Sequence, residues 1–139
     1  VAARLARLGD PPWVHVLPYI EDMPSALAAA DLAVTRSGAM TTSELLNQGL
    51  PAVLVPLPTA TANHQAHNAM ALAQAGAAVV VSQALLTGEL LWAEVVRLAE
   101  DEATLADMRA AALSRARPDA ASEIAADVER LLATRAGVG

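Results

Sequence analysis

Short apolar runs rich in β-branched residues alternate with helical patterns almost from the start of the chain, and this alternation constrains the fold most. The runs are Trp13–Leu17, Leu32–Thr35, Ala52–Leu57 and Ala77–Ser82. The helical patterns between them are Met23–Ala30, Met40–Gln48 and His64–Ala75. Such alternation is typical of βα units that build a parallel sheet covered on both faces. We therefore predict an α/β fold, a Rossmann-like parallel sheet of about four strands with flanking helices.

Three helical segments follow the last predicted strand without another strand between them. They are Gly88–Glu100, Glu102–Arg115 and Ala120–Arg135. We interpret residues 1–139 as one domain, with βα units at about 13–82 and a helical tail at about 88–135. The chain starts at Val1 rather than at Met, and Arg4–Leu8 is typical of the end of a helix. We therefore expect a partial domain that belongs to a longer protein.

Composition excludes several classes of protein. The chain has 9 basic residues, all of them arginine, against 15 acidic ones, and its net charge of −6 argues against a nucleic-acid-binding surface. It contains no cysteine, which excludes a disulfide framework and a thiolate metal site or nucleophile. Its unbroken apolar runs are far shorter than the roughly 20 residues that a membrane-spanning helix needs, so we expect no transmembrane segment.

One edge of the predicted sheet is the expected place for a ligand. The carboxyl ends of parallel strands meet at a single edge, and ligands of open α/β sheets bind there. The loops at that edge are residues 18–22, 36–39 and 58–63 and the stretch after Ser82. Arg36 is the only basic residue in these loops.

The segment Arg36–Ala39 leaves a predicted strand and opens the next helix. A helix start offers unpaired N–H groups and a positive dipole end, and Gly38 allows a ligand close to the backbone, so this turn is a candidate phosphate cradle. Ser37, Thr41, Glu44 and Gln48 are spaced four, three and four residues apart, which places them on one helix face. Glu44 lies roughly 8 Å beyond the helix start and can accept hydrogen bonds from both hydroxyls of a ribose.

The same residues also allow a purely structural interpretation. Thr41-Thr42-Ser43-Glu44 fits the capping box, in which Glu44 closes the first turn of a helix. The two interpretations need different helix starts. A start near Gly38 places Glu44 too far along for capping, whereas a start at Thr42 makes it the capping residue. The motif alone leaves both open.

Further polar side chains follow the third predicted strand. Gln65 and Asn68 are three residues apart, so their amides share one face of the next helix and can reach the hydroxyls of a sugar. His64 and His67 have the same spacing, but a catalytic zinc needs a third protein ligand and the neighbouring sequence offers none, so we expect no metal. No catalytic residue, and in particular no general base, is identified.

Several of these motifs occur in one family, in the same order and at matching spacing. They are Tyr19-Ile20-Glu21-Asp22-Met23, Ala29-Ala30-Asp31-Leu32, Arg36-Ser37-Gly38-Ala39 with Thr41 and Ser43-Glu44, Gly49-Leu50-Pro51-Ala52, and His64-Gln65 with Asn68-Ala69. From about Trp13 to Ala78 the chain resembles the C-terminal domain of the MurG family. These are the undecaprenyldiphospho-muramoylpentapeptide β-N-acetylglucosaminyltransferases of bacterial peptidoglycan synthesis. The helical tail fits the family only in its general pattern.

The resemblance implies the GT-B fold, in which two Rossmann-like domains face a cleft and the C-terminal domain holds the donor UDP-GlcNAc. It implies that Ile20 lies against the uracil and that Glu44 binds the ribose hydroxyls. The residues implied to face the diphosphate are Ser37, Gly38, Ala39, Met40 and Thr41. Gln65 and Asn68 are implied to hold the GlcNAc hydroxyls, and Asn63 stands where many members have Asp.

The resemblance also implies an activity for the full-length protein. GlcNAc passes from UDP-GlcNAc to lipid I to make lipid II, with inversion and without a metal or other cofactor. The acceptor site, the membrane-associating surface and the proposed base belong to an N-terminal domain that does not precede Val1, so the chain alone is expected to be inactive. The full-length protein is expected in the cytoplasm, peripheral on the inner face of the plasma membrane, with roles in cell wall biogenesis, cell shape and cell division.

Other functions stay open at this point. One is another GT-B nucleotide-sugar transferase, or a similarly folded protein like UDP-GlcNAc 2-epimerase. A different one is a non-catalytic nucleotide-sugar-binding domain. The partners expected on the leading interpretation are the UDP-GlcNAc donor and, through the missing domain, the lipid I acceptor, with no nucleic acid.

Overall fold

A computed structural model describes residues 11–59 and 63–136 of the chain. Its helices are α1 (Met23–Ala28), α2 (Ala39–Gln48), α3 (His64–Gln74), α4 (Gly88–Ala99), α5 (Glu102–Leu113) and α6 (Ala120–Ala136). Its strands are β1 (Ala33–Thr35), β2 (Ala52–Leu54) and β3 (Ala78–Val80). The helix end predicted at residues 4–8 lies outside the described residues, as do residues 60–62 of one predicted site loop.

The strands form a parallel sheet in the order β1-β2-β3. Their register puts Thr35, Leu54 and Val80 side by side in one row. Pairing continues for one residue beyond this row, because the N–H of Val55 donates to the carbonyl oxygen of Thr35 at 2.9 Å. The residues that follow the three strands therefore meet at one edge of the sheet, which we call the carboxyl edge.

The central strand β2 is buried and divides the core in two. Ala52 and Leu54 pack in a cluster that includes side chains of α1, α2 and α3. Val53 and Val55 pack on the opposite face in a cluster that includes side chains of α4 and α5. Because successive side chains of a strand point to opposite faces, the sheet forms a middle layer between two layers of helices. The predicted α/β class, a parallel sheet with flanking helices, is confirmed.

One predicted strand is wrong and the others are shorter than predicted. Trp13–Leu17 is irregular, and Trp13, Val16 and Leu17 are exposed. The segment pairs with neither edge of the sheet, and its Val14 N–H bonds to Pro11 in a local turn. A strand of this kind of sheet needs a paired neighbour and two covered faces, and this segment has neither. Among the described residues the sheet therefore has three strands.

The six helices predicted within the described residues are all present, with their ends displaced by at most two residues. The end of α2 is sharply defined because Gly49 has a φ of 61°, a left-handed conformation that glycine adopts without steric cost. The next residue, Leu50, donates its N–H to the carbonyl oxygen of Leu45 at 2.9 Å, as in a Schellman motif. The chain is thereby turned directly from α2 into β2.

The last helix, α6, has an exposed apolar stripe along its length. The side chains of the stripe are Ile124, Val128, Leu131 and Leu132. Despite this stripe, none of the helices within residues 11–59 and 63–136 is both long enough and apolar enough to cross a membrane.

Candidate functional site

The turn between β1 and α2 leaves a helix start open to a ligand. The N-cap residue of α2 is Gly38, and no side chain caps this end of the helix. The first intrahelical bond runs from the N–H of Thr42 to the carbonyl oxygen of Gly38 at 2.9 Å. The N–H groups of residues 38–41 thus have no helical acceptor, which is the usual state of a first turn. They form a row of donors at the positive end of the helix dipole, on the carboxyl edge.

Among the described residues, the space beside Gly38 at this helix start is open. A methyl group built on Gly38 would meet no atom within 4 Å among the described residues. The exposed Met40 side chain points outward, with 79 % of its surface accessible. On the inner side, the hydroxyl of the buried Thr42 lies 3.0 Å from the carbonyl oxygens of Gly38 and Ala39. The side chain of Thr42 therefore stabilises the first turn on its buried side, and the exposed side of the turn is accessible to a ligand.

Glu44 lies in the second turn of α2, six positions after the N-cap. A capping box needs the acidic residue three positions after the N-cap, so the structure excludes the capping interpretation of Glu44. The carboxylate is exposed and takes part in none of the ion pairs among the described residues. With Ala39, Met40 and Ser43 it lines a shallow depression beside the helix start. A ligand on the first turn can therefore extend along α2 to this carboxylate.

Ser37 lies before the helix rather than on its exposed face. Its side chain is fully buried, and its hydroxyl donates to the carbonyl oxygen of Gln65 at 2.7 Å. In return, Nδ2 of Asn68 donates to the carbonyl oxygen of Ser37 at 3.0 Å. These two bonds join the start of α3 to the turn that starts α2. The side chain of Ser37 thus fixes the turn and is not offered to the surface.

Gln65 has a second connection to the carboxyl edge. Its Oε1 accepts from the N–H of Leu57 at 3.0 Å, which ties the loop after β2 to the same helix. The Nε2 group of Gln65 and the Oδ1 atom of Asn68 take no part in these bonds. Both residues are half buried, and among the described residues one end of each side-chain amide is held by protein while the other end is available to a polar ligand.

Arg36 bridges the ends of all three strands. Its Nη1 donates to the carbonyl oxygen of Val55, the residue after β2, at 3.1 Å. The same atom donates to Oε1 of Gln83, in the loop after β3, at 2.5 Å. Sequence reasoning identified Arg36 as the cation of the site loops but missed Gln83. The available signal was its place three residues beyond β3, in the last of the predicted edge loops.

Ile20 is half buried and lies two residues before Asp22, the N-cap of α1. The carboxylate of Asp22 caps α1 by accepting from the N–H of Ser25 at 3.1 Å. The Ser25 side chain and backbone N–H, in that order, hold the pKa of Asp22 below its ordinary value. Since α1 packs against α2, the loop that carries Ile20 is anchored to the helix that carries Glu44.

The two histidines of α3 do not form part of a metal centre in the described structure. His64 and His67 are both exposed. Within residues 11–59 and 63–136, no three His, Asp or Glu side chains come together in an arrangement that can hold a metal ion.

Comparison with known proteins relates the chain to one family of transferases. Residues 2–124 match the glycosyltransferase family 28 C-terminal domain. The chain is 49 % identical over 124 residues to the UDP-N-acetylglucosamine–N-acetylmuramyl-(pentapeptide) pyrophosphoryl-undecaprenol N-acetylglucosamine transferase of Burkholderia ambifaria, a match that covers 89 % of this chain and 32 % of the relative. The protein of the same name from Acetivibrio thermocellus is 48 % identical over 97 residues, 70 % of this chain and 26 % of the relative.

The crystal structure of Acinetobacter baumannii MurG has a similar fold. It matches 94 % of this chain and 40 % of its own chain, with a TM-score of 0.82 and 36 % sequence identity. The chain thus spans 26 % to 32 % of the length of the two curated relatives and 40 % of the crystallised one.

Proposed function

The chain belongs to the glycosyltransferase family 28 C-terminal domain family, and from that premise we propose that it binds the donor UDP-GlcNAc at its carboxyl edge. The family predicted from the motifs of the sequence is thereby confirmed. The whole protein, on this proposal, is a hexosyltransferase that transfers GlcNAc to lipid I in peptidoglycan synthesis. Support comes from the activity named for relatives that are 48 % and 49 % identical.

One observation carries the donor proposal: the N-cap of α2 is Gly38, no side chain caps this helix start, and the second turn of the helix presents Glu44. The diphosphate binds to the N–H groups of Gly38, Ala39, Met40 and Thr41, where backbone donors and the helix dipole both favour negative charge. Glu44 lies six positions after Gly38, a rise of about 9 Å along the helix, which suits a ribose attached to that diphosphate. The carboxylate of Glu44 accepts hydrogen bonds from the two ribose hydroxyls.

The uracil and GlcNAc groups of the donor bind to residues of the neighbouring segments. The uracil lies against Ile20, whose loop is anchored through α1 to α2. The GlcNAc hydroxyls bind to Gln65 and Asn68 through Nε2 and Oδ1, the polar atoms that the loop contacts do not use. Ser37 contributes its backbone to the turn, since its hydroxyl is bonded to Gln65.

In the proposed reaction, the sugar hydroxyl of the acceptor attacks the anomeric carbon of GlcNAc, its proton passes to a base that we place in the N-terminal domain, and UDP leaves with inversion. Negative charge develops on the diphosphate as the bond breaks, and the start of α2 stabilises that charge without a metal ion. The residues of this chain thus bind the donor and stabilise the leaving group. We place the activity at the inner face of the plasma membrane, where a cytoplasmic nucleotide sugar meets a lipid-linked acceptor.

Calorimetric titration with UDP-GlcNAc, UDP, CDP and dTDP-glucose tests the donor proposal. The expected result is preferential binding of the two uridine ligands. Equal binding of dTDP-glucose would indicate a different nucleotide-sugar transferase instead. Transfer of labelled GlcNAc to lipid I by the whole protein tests the reaction, and conversion of UDP-GlcNAc to UDP and ManNAc, or to UDP-ManNAc, would indicate an epimerase.

A further inference from the structure

Gln83 holds Arg36 in place without neutralising it. The guanidinium donates through Nη1 to Gln83 Oε1 at 2.5 Å and to the Val55 carbonyl oxygen at 3.1 Å. Both acceptors are uncharged. The ion pairs among the described residues are Arg97–Glu94 and Arg130–Asp127, so no carboxylate of that part of the chain pairs with Arg36. Arg36 thus keeps its full positive charge at the carboxyl edge, in a chain whose net charge is −6.

The two hydrogen bonds that hold Arg36 leave one side of its guanidinium available. A guanidinium has five N–H donors in a fixed fork, and Nη1 supplies only two of them. Both bonds to protein come from Nη1, and no hydrogen bond within the described residues uses Nε or Nη2. These two nitrogens form a planar pair of donors that matches two oxygens of a phosphate. Because Nη1 is fixed at two points, the orientation of this pair is fixed as well.

We propose that Gln83 is a positioning residue that aims the Nε and Nη2 donors of Arg36 at the donor diphosphate. This inference rests on the proposed function. Arg36 precedes the N-cap of α2 by two residues, so its backbone is part of the turn whose N–H groups bind the diphosphate. Gln83 lies 47 residues further along the chain, in the loop after β3, which is the edge strand opposite β1. Its bond to Arg36 joins this loop to the site. The neutral amide matters because a carboxylate in its place would compete with phosphate for the same cation.

Gln83→Glu tests this role because it keeps the size and the acceptor while adding a negative charge. Gln74→Glu is the matched control: Gln74 is exposed at the last turn of α3, at the opposite end of that helix from the carboxyl edge. Each variant of the full chain is titrated with UDP, uridine and inorganic pyrophosphate, and its melting temperature is measured.

For Gln83→Glu we expect the Kd of UDP to rise about tenfold, the loss expected when a charge-assisted bidentate contact is removed. The Kd of uridine stays within about twofold, and the melting temperature is equal or higher since a surface ion pair replaces a hydrogen bond. Gln74→Glu leaves all these values near those of the wild type. In an Arg36→Ala background, the added Gln83→Glu change has no further effect on UDP.

Three outcomes overturn the inference, and they separate it from the proposed function. Unchanged UDP affinity in Gln83→Glu, with normal wild-type binding, removes the role of Gln83 and leaves the donor proposal intact. Equal losses for UDP and uridine together with a lower melting temperature assign Gln83 a purely structural role. Wild-type protein that binds neither UDP nor pyrophosphate overturns both proposals.

Discussion

The side-chain amide of Asn68 donates to the carbonyl oxygen of Ser37 at 3.0 Å and so connects two turns that are 31 residues apart in the chain. Ser37 returns a bond to the same helix through its buried hydroxyl. The turn that opens α2 is therefore fixed by α3 before any ligand arrives. A fixed turn needs no ordering when a diphosphate binds, which lowers the entropic cost of binding.

Replacing Asn68 with Asp should weaken this connection. The carboxylate offers no N–H to the Ser37 carbonyl oxygen and places an acceptor against an acceptor, so we expect the free energy of unfolding to fall by about 1–3 kcal/mol. Urea unfolding followed by circular dichroism measures the change. His67→Ala, an exposed substitution at the preceding residue, is the control and should stay within about 0.5 kcal/mol of the wild type. A stable Asn68→Asp variant would show that other contacts hold the turn.

The Glu44→Ala variant should bind UDP more weakly than the wild type while its fold remains equally stable. Glu44 caps nothing in α2, so the midpoint of urea unfolding should remain within the small range of exposed substitutions, about 0.5 kcal/mol. On the donor proposal, two hydrogen bonds to a carboxylate disappear, and the Kd of UDP should rise tenfold to a hundredfold, corresponding to roughly 1.5–3 kcal/mol.

The proposed contact between Glu44 and the ribose hydroxyls can be tested by changing the ligand. A UDP analogue that lacks both ribose hydroxyls should bind the wild-type protein weakly and the Glu44→Ala variant equally weakly. If the variant weakened UDP and the dideoxy analogue by the same factor, Glu44 would act through some other part of the nucleotide. Calorimetry with both ligands separates the two cases.

Gly49→Ala should destabilise the domain more than Gly76→Ala. Both glycines have positive φ, at 61° and 80°, so alanine is strained at either position. Only at Gly49 would the added methyl carbon also lie 2.7 Å from Cγ of Leu113. We expect a loss of about 1 kcal/mol at Gly76 and about 2–3 kcal/mol at Gly49, where overpacking adds to strain. Adding Leu113→Ala should recover part of the Gly49→Ala loss; no recovery would mean that strain alone is responsible.

Acid should weaken the cap of α5. The hydroxyl of Thr104 and then its backbone N–H bond to the carboxylate of Asp101 and hold the pKa of Asp101 below its ordinary value of 3.8. A carboxyl group whose pKa is lower in the folded state stabilises the fold above its unfolded pKa and loses that contribution as the pH falls through the folded pKa. Asp101→Asn should therefore be less stable than the wild type at pH 7, and the difference should shrink below about pH 4. Thermal unfolding of both proteins between pH 7 and pH 2.5 checks this, and a constant difference would contradict it.

Local patterns in the sequence were sufficient to predict the helices. Their ends follow from residues such as Gly49, whose left-handed conformation turns the chain at the predicted point. The error at Trp13–Leu17 has a different origin. An apolar run is compatible with a strand, but it forms one only when it pairs with a neighbouring strand. That pairing depends on tertiary contacts and not on the run itself.

The candidate site was predictable where it lies within one element. The spacing of Gly38 and Glu44 along one helix follows from chain geometry, and the helix start then decides between capping and ligand binding. The contacts of Arg36 with Gln83 and of Asn68 with Ser37 join residues that are 47 and 31 positions apart. Such contacts depend on how neighbouring βα units pack, and no local pattern encodes that packing.

The paired tryptophans have a practical consequence for unfolding experiments. The chain contains two Trp, one Tyr and no Phe, and the rings of Trp13 and Trp92 lie 6.4 Å apart with 71 % and 59 % of each residue exposed. Intrinsic tryptophan fluorescence therefore reports on the contact between the irregular segment before α1 and helix α4. The aliphatic core contributes no fluorescence of its own. Detachment of that segment would change the emission while the sheet remained intact, so a fluorescence transition that precedes the loss of circular dichroism would identify the most loosely held part of the domain.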